Sequence, residues 1–198
     1  MNEDADIALN ARPAAAGSAG DPAAAVDAAA NTTPAADAWP VADWPVEQLL
    51  PHAGAAVLLD AVLSCDEDTL LARATVRAHH GYGDSDGNLP PWLGMELMAQ
   101  AVGAWAGCQA RRAGVPVQLG FLLGTRRYDC RVAGFSAGMQ LIISAERSFQ
   151  DTAGMGVFLC RIQQGDECLA EARLNVYSPP DAGAFIHETS PTDDASNP

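Results

Sequence analysis

Lysine is absent from this chain: all eleven basic residues are arginine, set against 25 acids, for a formal net charge of −14 over 198 residues. No basic stripe is interleaved with aromatics, which make up only 6% of the chain. A nucleic-acid backbone therefore has no electrostatic footprint to bind. Paired cysteine spacing is missing too. Cys65, Cys108, Cys130, Cys160 and Cys168 are odd in number and form no C-x-x-C, which argues against a zinc site or a disulfide framework and for small buried hydrophobes. No apolar run is long enough for a membrane helix. The N-terminal stretch is acidic, without a basic region or a leucine-rich run, so no secretory signal is expected and the expected compartment is the cytoplasm. Large apolar side chains are nearly missing from residues 1–38, which carry six acids against Arg12 alone. Such a composition cannot offset ordering entropy and is expected to be disordered, as is 181–198. The two tails hold −5 and −4 of the net charge, leaving −5 on a single domain, 39–180.

What is present is organised around Leu89–Arg112, LPPWLGMELMAQAVGAWAGCQARR. Pro90 and Pro91 suit a helix's first turn, where a missing N–H costs least. Arg111 and Arg112, followed by Gly114 and Pro116, form a stop signal. Gly94, Ala99, Ala101, Gly103, Ala104, Ala106 and Gly107 make the helix thin, so close packing is expected around most of its circumference. One carboxylate, Glu96, stands in that small apolar surface, with Gln100 one turn later on the same face. It is either a first-turn charge satisfying the helix dipole or a working acid.

Before the helix, Val46–Leu50 reads as a short helical turn and 55–65 as a mostly buried strand. Residues 69–77 alternate: Leu70, Ala72, Ala74 and Val76 face one way, and Leu71, Arg73, Thr75 and Arg77 the other. Asp66-Glu67-Asp68 turns the first strand back on the second. The loop 79–88 leads into the helix, and four more strand-like runs follow at 118–130, 138–149, 155–163 and 167–178, separated by glycine-bearing turns. Strands not separated by helices exclude a doubly wound parallel sheet. An α+β fold is expected, a largely antiparallel sheet of about six strands curled round one long helix.

These motifs resemble the hotdog-fold 3-hydroxyacyl-acyl-carrier-protein dehydratases. Residues 49–62, LLPHAGAAVLLDAV, are similar to that family's opening strand. Pro90–Gln100 resembles its helix start with the E-x-M-A-Q signature. GFLLGTRRYDC, 120–130, resembles the post-helix strand, and Phe135–Leu141 an F-x-x-G-x-x-L turn. The predicted-dehydratase subgroup of aryl-polyene-type pigment clusters is closer still, through its helix, its G-T-R-x-Y strand and its L-N-V-Y ending.

The resemblance implies dehydration of 3-hydroxyacyl carrier-protein thioesters to trans-2-enoyl thioesters, with neither metal nor cofactor. It places Glu96 on the catalytic acid. The family's histidine position holds Tyr82, and His80, or else His79 beside it, lies just upstream as the candidate base. The family glycine whose N–H holds the thioester oxygen is Pro91 here, and proline has no N–H. The next amides, those of Trp92 and Leu93, are then the expected donors. Gln100 and Gly124 complete the expected substrate-binding set. Arg126 and Arg127 are candidates to meet an acyl carrier protein and its phosphopantetheine arm. His52, inside the LPH motif, is expected to be structural. A homodimer or a hotdog heterodimer is implied, with a hotdog thioesterase and a non-catalytic acyl-binding partner subunit as the rival roles. Gly134–Gly138 matches G-x-S-x-G, but a serine-hydrolase elbow needs a strand before it and a helix after it, and here a strand follows.

Overall fold

The computed structural model describes residues 39, 41–77 and 82–179. Both expected tails and the candidate bases His79 and His80 lie outside the described residues. Six strands and one long helix follow in order: β1 Ala61–Cys65, β2 Thr69–Thr75, α1 Leu93–Ala113, β3 Phe121–Cys130, β4 Gln140–Gln150, β5 Met155–Gln164 and β6 Glu167–Tyr177. Every pairing is antiparallel, and the sheet order is β1-β2-β4-β5-β6-β3. This is the α+β arrangement expected, a sheet wrapped on one central helix.

Strand alternation explains which face meets the helix. Leu70, Ala72 and Ala74 of β2, Leu141, Ile143 and Ala145 of β4, and Phe158, Cys160 and Ile162 of β5 are all buried, because a period of two sends each set to one side of the pleat. The helix lies against that side. Small residues let it come close: a Cβ on Gly94 would stand 2.3 Å from the Tyr128 hydroxyl, and one on Gly107 only 2.0 Å from the Leu49 carbonyl oxygen. Trp105 packs edge-on against Phe158, ring centroids 5.1 Å apart. Gly114 ends the helix at φ +69°, the left-handed conformation that glycine adopts at little cost. Arg112 and Arg111 then fold back over the Trp39 and Trp44 rings, at 4.4 and 5.2 Å, and tie the opening segment to the helix's last turn.

One boundary differs from the expectation. The run 55–65 forms a strand only from Ala61; Gly54–Ala56 is a 3-10 turn, Val57 is extended, and the first bond to β2 is that of the Asp60 N–H to the Arg73 carbonyl at 2.7 Å. The reason is a side chain. Gln100 accepts the Leu58 N–H at 2.9 Å and donates to the Ala56 carbonyl at 2.7 Å, so that backbone bonds to the helix instead of to a neighbouring strand.

Candidate active site

Glu96 and Gln100 sit one turn apart on α1, as their spacing predicts. Gln100 is 1% exposed, and its amide is fully directed: beyond the two backbone bonds to Ala56 and Leu58, its Nε2 donates to Glu96 Oε1 at 2.9 Å. That bond fixes which way the carboxylate faces. It also leaves the other carboxylate oxygen uncommitted to Gln100, and the Glu96 side chain is 40% exposed.

The structure adds a residue that the sequence reading set aside. His52 Nε2 stands 3.7 Å from Glu96 Oε1, with its side chain 38% exposed. The separation suits an ion pair once the imidazole is protonated, and is too long for a hydrogen bond. His52 Nδ1 is buried and meets no hydrogen-bonding partner among the described residues, so nothing described in this chain selects its tautomer. The only signal in the sequence was a polar ring inside the otherwise apolar run 49–59. Its neighbour lies on another element, where no local period reaches.

The helix start explains what becomes of the expected amide donors. Leu93 N–H donates to the Pro90 carbonyl at 3.0 Å, Gly94 N–H to Pro91 at 3.1 Å and Met95 N–H to Trp92 at 3.1 Å. A tight first turn of this kind satisfies donors that a helix otherwise leaves free. Leu93's amide is therefore engaged, whereas no backbone acceptor takes the Trp92 N–H among the described residues. Tyr128 of β3 steadies the turn by donating its hydroxyl to the Pro91 carbonyl at 2.5 Å. Burial, with a lesser contribution from Cys130, pushes the Tyr128 phenol up, so it keeps its proton and remains a donor. A cavity of about 660 Å³ opens in front of this turn, reaching Tyr82, Asp84, Asn88 and Pro91. It touches the helix start and stops short of Glu96.

The remaining candidates are dispersed. Gly124 lies on β3 at φ +130°, with open space where a Cβ would be. Arg126 and Arg127 are exposed on the same strand, and Arg127 pairs with Asp129. Ser136 of the G-x-S-x-G run is exposed and followed by β4, so no elbow forms. No group of metal-ligating side chains occurs among the described residues, and no helix there is long and apolar enough to cross a membrane.

A six-stranded antiparallel sheet wrapped on one helix, with an acid near the helix start, defines a hotdog-fold protein. Residues 44–187 match the family model of the ApeP-like proteins, described as ApeP dehydratase, and the chain belongs to that family. It is similar to a chain of the dehydratase heterocomplex ApeI:P from Xenorhabdus doucetiae, at 31% identity and a TM-score of 0.68, over 74% of this chain and 98% of that one. An uncharacterised protein from Pyrococcus horikoshii shares the fold at 14% identity and a TM-score of 0.50, over 69% of this chain and 95% of its own. A conserved protein from Pseudomonas aeruginosa does so at 15% and 0.50, over 68% and 99%. No curated protein sequence matches the chain.

Proposed function

We propose that this chain dehydrates 3-hydroxyacyl thioesters carried on an acyl carrier protein, with Glu96 and His52 as its acid–base pair. The observation that carries the reading is the 3.7 Å approach of His52 Nε2 to a carboxylate that Gln100 holds in place. The reaction needs a base for the C2 proton and an acid for the departing hydroxyl. Neutral His52 takes the proton from C2, and the electron pair left behind forms the C2–C3 double bond as the C3–O bond breaks. Protonated Glu96 gives its proton to the leaving oxygen, which departs as water. An imidazolium and a carboxylate then face each other, and transfer of the proton from one to the other restores both groups. The Trp92 N–H, free in the first turn, is the donor for the thioester oxygen while negative charge develops there.

A second reading has its own observation. Glu96 and His52 stand about two-fifths exposed, so this chain alone does not shield the pair from water, and an acid–base site gains from enclosure. The similar ApeI:P protein is a heterocomplex, and a second hotdog chain would supply the missing wall. On that reading the chain turns over only when paired.

The test is incubation of the purified protein, alone and with a second hotdog subunit, with 3-hydroxyacyl and enoyl carrier-protein thioesters, the products being weighed by mass spectrometry. Loss of water by the chain alone supports the first reading, and loss of water only in the mixture the second. Release of free acid would mark a thioesterase and overturn both. Full dehydration by His52→Ala, with activity lost in His80→Ala, would return the base to the residue implied by the resemblance.

A further inference from the structure

The peptide that joins Pro91 to Trp92 has its two ends in different surroundings. Its carbonyl accepts the Gly94 N–H at 3.1 Å and the Tyr128 hydroxyl at 2.5 Å. Its N–H meets no backbone acceptor among the described residues. The peptide is trans, so carbonyl and N–H share one plane and point in opposite directions. Whatever fixes the carbonyl therefore fixes the direction of the N–H. A donor on the carbonyl also polarises the amide and makes its N–H a stronger donor, as bonds in a chain reinforce one another.

Two features of the fold bring Tyr128 to that carbonyl. The first is a bulge in β3. Thr125 pairs with Leu174 of β6, and a regular ladder would set Arg127 opposite Ala172; instead Tyr128 takes that place. The extra residue re-aims the side chains beyond it. It turns the tyrosine to the side on which Leu174 and Ala172 are buried, and leaves Arg127 exposed. Thr125 Oγ1 holds the bulge, accepting the Arg127 N–H at 3.2 Å and lying 2.8 Å from the Arg173 carbonyl oxygen. The second feature is Gly94, where a Cβ would stand 2.3 Å from the Tyr128 hydroxyl. Only a bare Cα leaves that hydroxyl room to reach Pro91. Burial keeps the phenol protonated, so it remains a donor.

We infer that Tyr128 is a positioning residue for the reaction: through the Pro91–Trp92 peptide it aims and strengthens the N–H that meets the thioester oxygen. The inference rests on the function proposed above, in which that N–H is the donor. An oxyanion donor works because its direction is set before the charge develops. Here the first turn offers little choice. Proline at 91 has no N–H, and the amides of Leu93, Gly94 and Met95 are all engaged within the turn. With one amide free where a helix start usually presents several, the stabilisation depends on how well that amide is aimed and how strongly it donates. Tyr128 governs both from the far end of the same peptide.

The experiment removes the hydroxyl alone. Tyr128→Phe keeps the ring, and the Pro91 carbonyl keeps its bond to Gly94, so melting should stay near wild type. The Trp92 amide proton is followed by NMR of isotope-labelled protein, and kcat and KM are measured in whichever assembly turns over. The Trp92 proton should move upfield while that of Leu93, bonded to Pro90, stays in place. The kcat should fall about three- to thirtyfold at constant KM, short of the loss of about 10²–10³-fold when an oxyanion donor is removed outright. A tyrosine fluorinated beside its hydroxyl is a more acidic phenol and a stronger donor, and in place of Tyr128 it should move the same proton downfield. An unmoved Trp92 proton in Tyr128→Phe would overturn the inference, as would movement in the same direction in both proteins. So would a raised KM at constant kcat, or a wild-type kcat in an enzyme that Glu96→Gln silences. If no assembly of the wild-type chain dehydrates, the proposed function fails and takes the positioning role with it, and the proton shifts tell that failure from a Tyr128 that never governed the amide.

Discussion

Helix α1 is gripped on two faces, and the grips differ in kind. One face carries Glu96, Gln100, Gly103 and Gly107, a single row at helical spacing. It meets the segment 49–58 through hydrogen bonds to Ala56 and Leu58, through His52, and through the bare approach of Gly107 to the Leu49 carbonyl. The other row, Gly94, Met98, Ala101, Trp105 and Cys108, is buried in the sheet's apolar face. The second row is wholly buried, Glu96 and Gly103 of the first are only partly so, and directed polar groups are concentrated on the first. Packing against a sheet needs shape alone, whereas holding a carboxylate for chemistry needs partners with direction. The first face carries the carboxylate, beneath a segment outside the ladder whose Ala56 and Leu58 backbone groups bond to Gln100.

The sharpest way to break this contrast is Glu96→Gln. The amide cannot give up a proton as an acid does, so the dehydration rate should fall by about 10²–10⁴-fold, the usual general acid–base contribution, while circular dichroism and melting stay near wild type. A loss of fold with the activity would make Glu96 a structural charge. Gln100→Leu should come next. It leaves the Leu58 N–H and the half-buried Ala56 carbonyl without their partner, and should cost about 2–6 kcal/mol in chemical denaturation at one to three per orphaned group. A neutral result would mean that water readily takes over both bonds.

How much of this was legible beforehand follows from the same contrast. The sheet-facing row and its strands could be read directly, because Leu70, Ala72, Ala74 and Val76 repeat with period two and the helix is bracketed by Pro91 and Gly114. Glu96 and Gln100 were legible as a pair for the same reason: they are neighbours on one element. The start of β1 was not. Residues 55–59 have the apolar content of a strand, and the distant Gln100 side chain takes the Ala56 and Leu58 backbone groups, so bonding to β2 begins only at Asp60. The approach of His52 to Glu96 was not legible, because it is a contact between elements that no local period reaches. Pro90 and Pro91 announced a helix start, but the tight turn that engages the Leu93 amide and leaves that of Trp92 depends on backbone geometry that composition does not carry.

Two glycines allow a finer comparison of the faces. Gly107→Ala sets a Cβ against the Leu49 backbone, which cannot swing away, whereas Gly94→Ala meets first the hydroxyl end of Tyr128. The former should cost about 2–3 kcal/mol and the latter about 1 kcal/mol, within the range for overpacked cores. Equal costs would show that the two faces yield alike. The smallest effect concerns Cys65 and Cys108, both fully buried in free form. A hydrogen bond with Cys108, together with burial, pushes the Cys65 thiol up, and burial alone pushes Cys160 up to about 12. The thiolate is the reactive species, which protects Cys65 and Cys160, and burial shields Cys108 from the reagent, so alkylation of the folded protein should be slow at these three and faster at the half-buried Cys130 and Cys168. Rapid labelling of Cys65 or Cys108 would mean that the sheet-facing side of the helix opens readily.

The central claim is that Glu96 and His52 act as one unit, and a double-mutant cycle on the dehydration rate tests it most directly. Groups that share one proton-transfer sequence are strongly non-additive. Glu96→Gln, His52→Ala and the double variant, each assayed in whichever assembly turns over, should therefore all fall to nearly the same residual rate. A double variant slowed by the product of the two single effects, or a His52→Ala enzyme at the wild-type rate, would contradict the pairing.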